Sequence, residues 1–117
     1  MNIIKTFTNK TDEDLTAKEG YLVKYDTTGV SVASAITDKV IGVITKGGAT
    51  ESDVCIFGEC QALCGGTVTA GQFLTPHTDG TAIDTSSSCT EAALALESGV
   101  AGAWSQVVVF PTNNAVA

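Results

Sequence analysis

The chain aligns with itself. Gly20-Tyr21-Leu22-Val23-Lys24-Tyr25-Asp26-Thr27-Thr28-Gly29-Val30-Ser31-Val32 lines up with Gly71-Gln72-Phe73-Leu74-Thr75-Pro76-His77-Thr78-Asp79-Gly80-Thr81-Ala82-Ile83. Each stretch leads to an apolar segment closed by a glycine turn: Val40-Ile41-Gly42-Val43-Ile44 before Gly47, and Ala92-Ala93-Leu94-Ala95-Leu96 before Gly99. Asp53-Val54-Cys55-Ile56-Phe57 then matches Gln106-Val107-Val108-Val109-Phe110, so the offset stays near fifty throughout. Self-similarity at a constant period means one supersecondary unit used twice. The copies fall at about residues 17–58 and 68–111. Two such units can close around a shared core with approximate twofold symmetry, removing most of the open edges that one unit alone would leave.

Local composition says what the unit is made of. Turn residues recur about every ten positions, as Asp26-Thr27-Thr28-Gly29, Lys46-Gly47-Gly48, Gly65-Gly66 and Thr78-Asp79-Gly80, and only Pro76 and Pro111 are proline. Between these turns lie short apolar or alternating runs at residues 21–25, 30–33, 40–45, 54–57, 60–63, 72–75, 81–84, 93–96 and 104–110. Short runs with regular turns read as an all-β protein, a small compact β-barrel or sandwich. Thr90 to Glu97 carries good helix formers as well as apolar residues for a buried strand. The repeat favours strand there, because the segment matches Val40 to Ile44. With 117 residues the chain supports one core, so residues 17–117 are read as a single β-barrel domain.

Residues 1–16 have no counterpart in this alignment. Ile3, Ile4 and Phe7 are β-prone and apolar, and they are followed by the polar stretch Thr8 to Asp14. The segment reads as an extended N-terminal arm whose three large side chains need a surface to cover, most simply by strand addition onto a neighbouring chain.

Charge narrows the choice of partner. The formal net charge is −7, there is no arginine, and every lysine precedes residue 47. From Gly47 onward there is no Lys or Arg, and Glu51, Asp53, Glu59, Asp79, Asp84, Glu91 and Glu97 carry the whole excess of charge. Nucleic acid and anionic lipid both demand a basic footprint, so neither is expected as a partner. No apolar run approaches the roughly 20 residues that cross a bilayer, and Met1 to Lys5 lacks the long apolar stretch of a signal peptide. Synthesis in the cytoplasm and a protein partner are the expectations.

The side chains that carry chemistry are few and poorly spaced for it. Cys55, Cys60, Cys64 and Cys89 equal the number in a structural zinc site, yet their gaps do not form the tight Cys-x-x-Cys knuckles such sites use. Buried thiols in a reducing compartment are the favoured reading, with a Cys55–Cys60 or Cys64–Cys89 disulfide open if the protein leaves the cell. His77 is the single histidine; it sits in a turn, and its repeat counterpart Asp26 is also a turn residue. The glycine pairs lack the lysine and helix start of a phosphate loop. No nucleophile elbow or dinucleotide fingerprint is present, so no enzyme and no cofactor is expected. One alternative remains, a β-barrel carrier or binding module. Thr37-Asp38-Lys39-Val40 resembles the Asp-Lys turn of lipoyl carrier domains, which would make Lys39 the modified residue, and the four cysteines would make a zinc module.

Taken together, Ala17-Lys18-Glu19-Gly20-Tyr21-Leu22-Val23, Val40-Ile41-Gly42-Val43-Ile44-Thr45, Val68-Thr69-Ala70-Gly71-Gln72-Phe73-Leu74 and Ala93 to Gly99 followed by Val107 to Phe110 resemble the capsid decoration, or cement, proteins of tailed bacteriophages. The resemblance spans residues 17 to 111. It implies a compact β-barrel on the outer surface of the assembled head that bridges neighbouring major capsid proteins and stabilises the shell. It also implies a homotrimer or homodimer, and a contact with the shell through Ile3, Ile4 and Phe7 of the arm. Such a protein is a structural component of the virion.

Overall fold

The structure, a computed structural model, describes residues 5–11, 13–25, 29–85 and 91–109, with the backbone alone for 5–9. Nine strands run in chain order as β1 Lys5–Lys10, β2 Leu22–Tyr25, β3 Val30–Val32, β4 Val40–Lys46, β5 Glu51–Leu63, β6 Phe73–Pro76, β7 Ala82–Asp84, β8 Ala93–Ala95 and β9 Trp104–Val109. Among the described residues there is no helix, and every strand pairing is antiparallel. The all-β, twofold-repeated architecture expected from the sequence is the one observed.

The order across the sheet is β3-β2-β4-β5-β9-β8-β6-β7, with β1 also paired to β5. Outward from the β5–β9 seam, the neighbours are β4, β2, β3 on one side and β8, β6, β7 on the other. The two halves are thus the same path through space. The hydrogen bonds repeat as well, with an offset of 51 positions. Gly20 N–H donates to the Ile44 carbonyl and Gly71 N–H to the Ala95 carbonyl, both at 2.8 Å. Ile44 N–H returns a bond to the Tyr21 carbonyl at 3.0 Å, and Ala95 N–H to the Gln72 carbonyl at 2.9 Å. Gly20 and Gly71 have φ of 86° and 87°, a left-handed conformation that glycine adopts without the Cβ clash other residues meet.

The sequence shows strands at 54–57 and 60–63; the structure joins them into the 13-residue β5. Gly58, with φ 105°, is where this strand turns from one set of neighbours to the other. Up to Phe57 it pairs with β1 and β4, and from Gly58 it pairs with β9, beginning at Gly58↔Val109.

The pairing also carries the repeat further toward the N-terminus than the sequence alignment does. Lys5–Lys10 lies against the first half of β5, ending at Lys10↔Glu51, as Gly58 to Leu63 lies against β9, ending at Leu63↔Trp104. Just past each of these strands a parallel bridge reaches the hairpin of its own unit, Thr11↔Val30 in one and Cys64↔Ala82 in the other. Then Leu15 N–H binds the Gly48 carbonyl, and Val68 N–H the Gly99 carbonyl. The units therefore run over 5–57 and 58–109, and the segment read as an arm supplies the first strand of its own chain's first unit. Each unit is a five-stranded ring closed by its parallel bridge, which leaves few edges bare.

The core follows the rings. Leu15, Val23, Val30, Ile44 and Val54 form one buried cluster inside the first unit. Their counterparts Val68, Leu74, Ala82, Ala95 and Val107 belong to a second cluster, which also takes in Leu22, Ala33, Val40, Val43 and Cys55 from the first unit. The first ring packs larger side chains and stands as its own cluster. The alanine-rich second ring shares its core with the outer face of the first, which fastens the units together. A cross-unit bond from the fully buried Thr75 hydroxyl to the Ile36 carbonyl, 3.1 Å, adds to this.

Candidate interaction surface

The acidic residues hold loops. Asp38 accepts the Ser34 and Ala35 N–H groups at 2.8 and 3.0 Å and pairs with the Lys24 ammonium at 3.4 Å. Glu19 accepts Gly47 N–H, Asp84 accepts Thr69 N–H, and Glu97 accepts Gln106 N–H, at 2.7 to 2.9 Å. A backbone donor that would otherwise lack a partner is thereby satisfied by a charge-assisted bond. Partial burial pushes the Asp38 and Asp79 carboxyls up, yet the surrounding donors outweigh it and both sit below the usual carboxylate range. For Asp79 those donors are the Thr81 hydroxyl and N–H, aided by the charge of His77.

The residues singled out for chemistry are dispersed. His77 N–H binds the Thr81 carbonyl in the β6–β7 turn, and its Nδ1 lies 2.6 Å from Thr78 N and 3.0 Å from the Thr78 hydroxyl. The imidazole is thus engaged with its own turn. Lys39 is exposed in the segment between β3 and β4. These two strands each pair with β2 rather than with each other, so Lys39 does not stand at the tip of a hairpin as the carrier reading requires. Cys55 and Cys60, five positions apart, meet across the Gly58 bend, where the Cys60 thiol hydrogen-bonds Cys55. That bond holds the Cys55 thiol below its ordinary range, while the same bond and burial push Cys60 up. Cys64 packs against Gly99 elsewhere in the second unit. Cys89 lies outside the described residues, and among the described residues no three metal-ligating side chains converge. Ile3 and Ile4 also lie outside them, and Phe7 pairs its backbone with Val54 in β1.

A groove of about 380 Å³ opens between the units, lined by Glu19, Ile44, Glu59, Cys60, Gln61 and Trp104. Its lining brings the carboxylates of Glu19 and Glu59, the Thr45 hydroxyl and the Cys60 thiol beside the Trp104 indole.

The more informative feature is a row of side chains that sequence reading did not single out. Cross-strand partners point to one side of a sheet. In the first unit Leu22↔Val43↔Cys55 is such a row, and each member is at most 1% exposed. The counterpart row Phe73↔Leu94↔Val108 crosses β6, β8 and β9, and there Phe73 is 42% exposed while Leu94 and Val108 are half-buried. Leu96, 43% exposed, follows Leu94 on that side, its N–H continuing the ladder to the Gln106 carbonyl. Glu59, the partner of Val108 on β5, stands at the end of the row. The sequence signal was present: strands β8 and β9 are apolar at both parities, which means both faces of that sheet are apolar.

Neither a family model nor a curated protein matches the chain. A solved structure does: the head fibre gp8.5 N base of bacteriophage phi29, with a TM-score of 0.63 and 22% sequence identity, over 96% of this chain and 98% of that one. The two share a fold from end to end.

Proposed function

We propose that the chain is a structural protein of a tailed-bacteriophage head. It binds the outer surface of the assembled shell and braces neighbouring major capsid proteins. The observation that carries this reading is the full-length fold likeness to the base of a phage head fibre, which agrees with the sequence resemblance to cement proteins. A protein with this task needs a stable body and docking surfaces rather than a reaction centre. Many copies on a lattice act multivalently, so modest affinity at each site gives a durable particle. The N-terminal segment with Ile3, Ile4 and Phe7 is taken as one contact with the shell, and association into dimers or trimers as the working assembly.

The test is to fractionate particles from a producing culture on a density gradient and to quantify the chain against the major capsid protein by intact mass. A fixed ratio in the particle band at unmodified mass is the expected result. Recovery in the soluble fraction alone, with an adduct on Lys39 or bound zinc, overturns the proposal in favour of a carrier or metal module. An Ile3→Ser/Ile4→Ser double variant, which spares strand β1, is expected to lower occupancy; unchanged occupancy overturns the role of the N-terminal segment.

A further inference from the structure

Internal duplication gives this molecule a built-in comparison. The same three-residue row exists twice, and the two copies meet different surroundings. Leu22, Val43 and Cys55 are sealed into the core that the units share, whereas Phe73, Leu94 and Val108, extended by Leu96, face outward on β6, β8 and β9. Among the described residues the exposed large apolar side chains are Phe73, Leu96, Val100 and Trp104 in the second unit and Tyr25, Ile36 and Phe57 in the first. An apolar row held rigidly on a sheet is the kind of surface that marks a contact with another protein.

Charge selects the occupant. No Lys or Arg occurs from Gly47 to the C-terminus, Glu59 closes one end of the row, and Glu97 follows Leu96. Two copies apposed through this face would bring carboxylates against carboxylates, a juxtaposition that suppresses association. A basic surface is attracted to the same field, and an apolar prominence within it removes the row from water.

We infer that the β6–β8–β9 face of the second unit docks a protein partner that presents an apolar side chain among lysines or arginines. For the identity of that partner, the shell of the head, the inference rests on the function proposed above; for its chemistry it rests on the face alone.

The full chain, its Leu96→Ser variant and its Glu59→Lys variant are titrated by fluorescence anisotropy with a labelled peptide of alternating Leu and Lys, and with a Leu-Glu peptide as control. The same three proteins are scored for occupancy on purified heads. Leu96 is exposed and Glu59 half-buried, and unchanged melting temperatures check that the substitutions leave the fold intact. The expected result is binding of the Leu-Lys peptide that weakens about tenfold in each variant, no binding of the Leu-Glu peptide, and a parallel loss of occupancy on heads. Equal peptide binding by the variants, or equal affinity for the acidic peptide, overturns the inference. Heads occupied equally by all three proteins overturn it too, while leaving the head-binding reading intact. Failure of the unsubstituted chain to bind heads sinks that reading alone, and the peptide titration still decides the face. A self-associated form that Leu96→Ser dissolves into monomers in sedimentation would place a second copy on the face and overturn the inference.

Discussion

Trp104 lays its indole over Gly20 so closely that a Cβ on the glycine would overlap the ring. The contact joins the entry turn of the first unit to the start of the last strand of the second. Gly71, the counterpart of Gly20, has nothing within 4 Å of where its Cβ would stand. Two glycines with the same φ are thus held for different reasons, one by conformation and packing together, the other by conformation alone.

That difference gives a paired prediction. Gly71→Ala carries only the left-handed backbone penalty, about 1 kcal/mol. Gly20→Ala adds displacement of the indole and is expected to cost about 2–4 kcal/mol. Urea unfolding of the two variants, followed by tryptophan fluorescence, checks the ranking.

Acid should destabilise the protein through its loop carboxylates. Asp14 is held below its ordinary value by the Thr16 hydroxyl and N–H, and Asp38 and Asp79 are held there by donors that outweigh burial. A carboxyl whose folded pKa is depressed contributes stability that is fully present above its unfolded pKa, here 3.8, and is lost as pH falls through the folded value. The urea midpoint is therefore expected to hold steady down to about pH 4 and to drop below it. Asp38→Asn should lower the midpoint at neutral pH and flatten the acid drop.

Thr75→Val tests the fastening between units. The substitution keeps the shape of the side chain and removes the hydroxyl that reaches the Ile36 carbonyl. An acceptor left without its donor costs about 1–3 kcal/mol. Amide exchange should rise around residues 33–38 before it rises in β5.

The thiols offer a spectroscopic check. With the Cys60 thiol bonded to Cys55, thiolate absorbance at 240 nm is expected to rise first from Cys55, below the ordinary thiol range, and last from Cys60. Cys60→Ala removes the donor, so the early component should move up in pH. An unmoved early component would show that the bond does not set the order.

The repeat was legible because its signal lies in turn glycines and apolar parity, and these are what backbone geometry demands at Gly20 and Gly71 alike. The first strand was not legible as part of it, since Lys5–Lys10 and Gly58 to Leu63 share no side-chain pattern. What they share is a place in the ladder, which rests on backbone groups that every residue carries. The Cys55–Cys60 meeting was hidden for a related reason. In a straight strand five positions span about 16 Å, and only the positive φ of Gly58 brings the thiols together. The segment 90–97 was ambiguous in composition, and pairing with β6 and β9 settles residues 93–95 as strand over their helix propensity. The outward row on β6, β8 and β9 was written in the sequence as apolar residues at both parities; which copy of the row would be covered depends on how the units meet, and no local pattern encodes that.

Strand β5 belongs to both units at once, so the joint between them is a ladder and not a tether. A pull that separates the units along this strand loads its hydrogen bonds to β1, β4 and β9 side by side, in shear, rather than unzipping them one after another. The two units then bear tension as one piece.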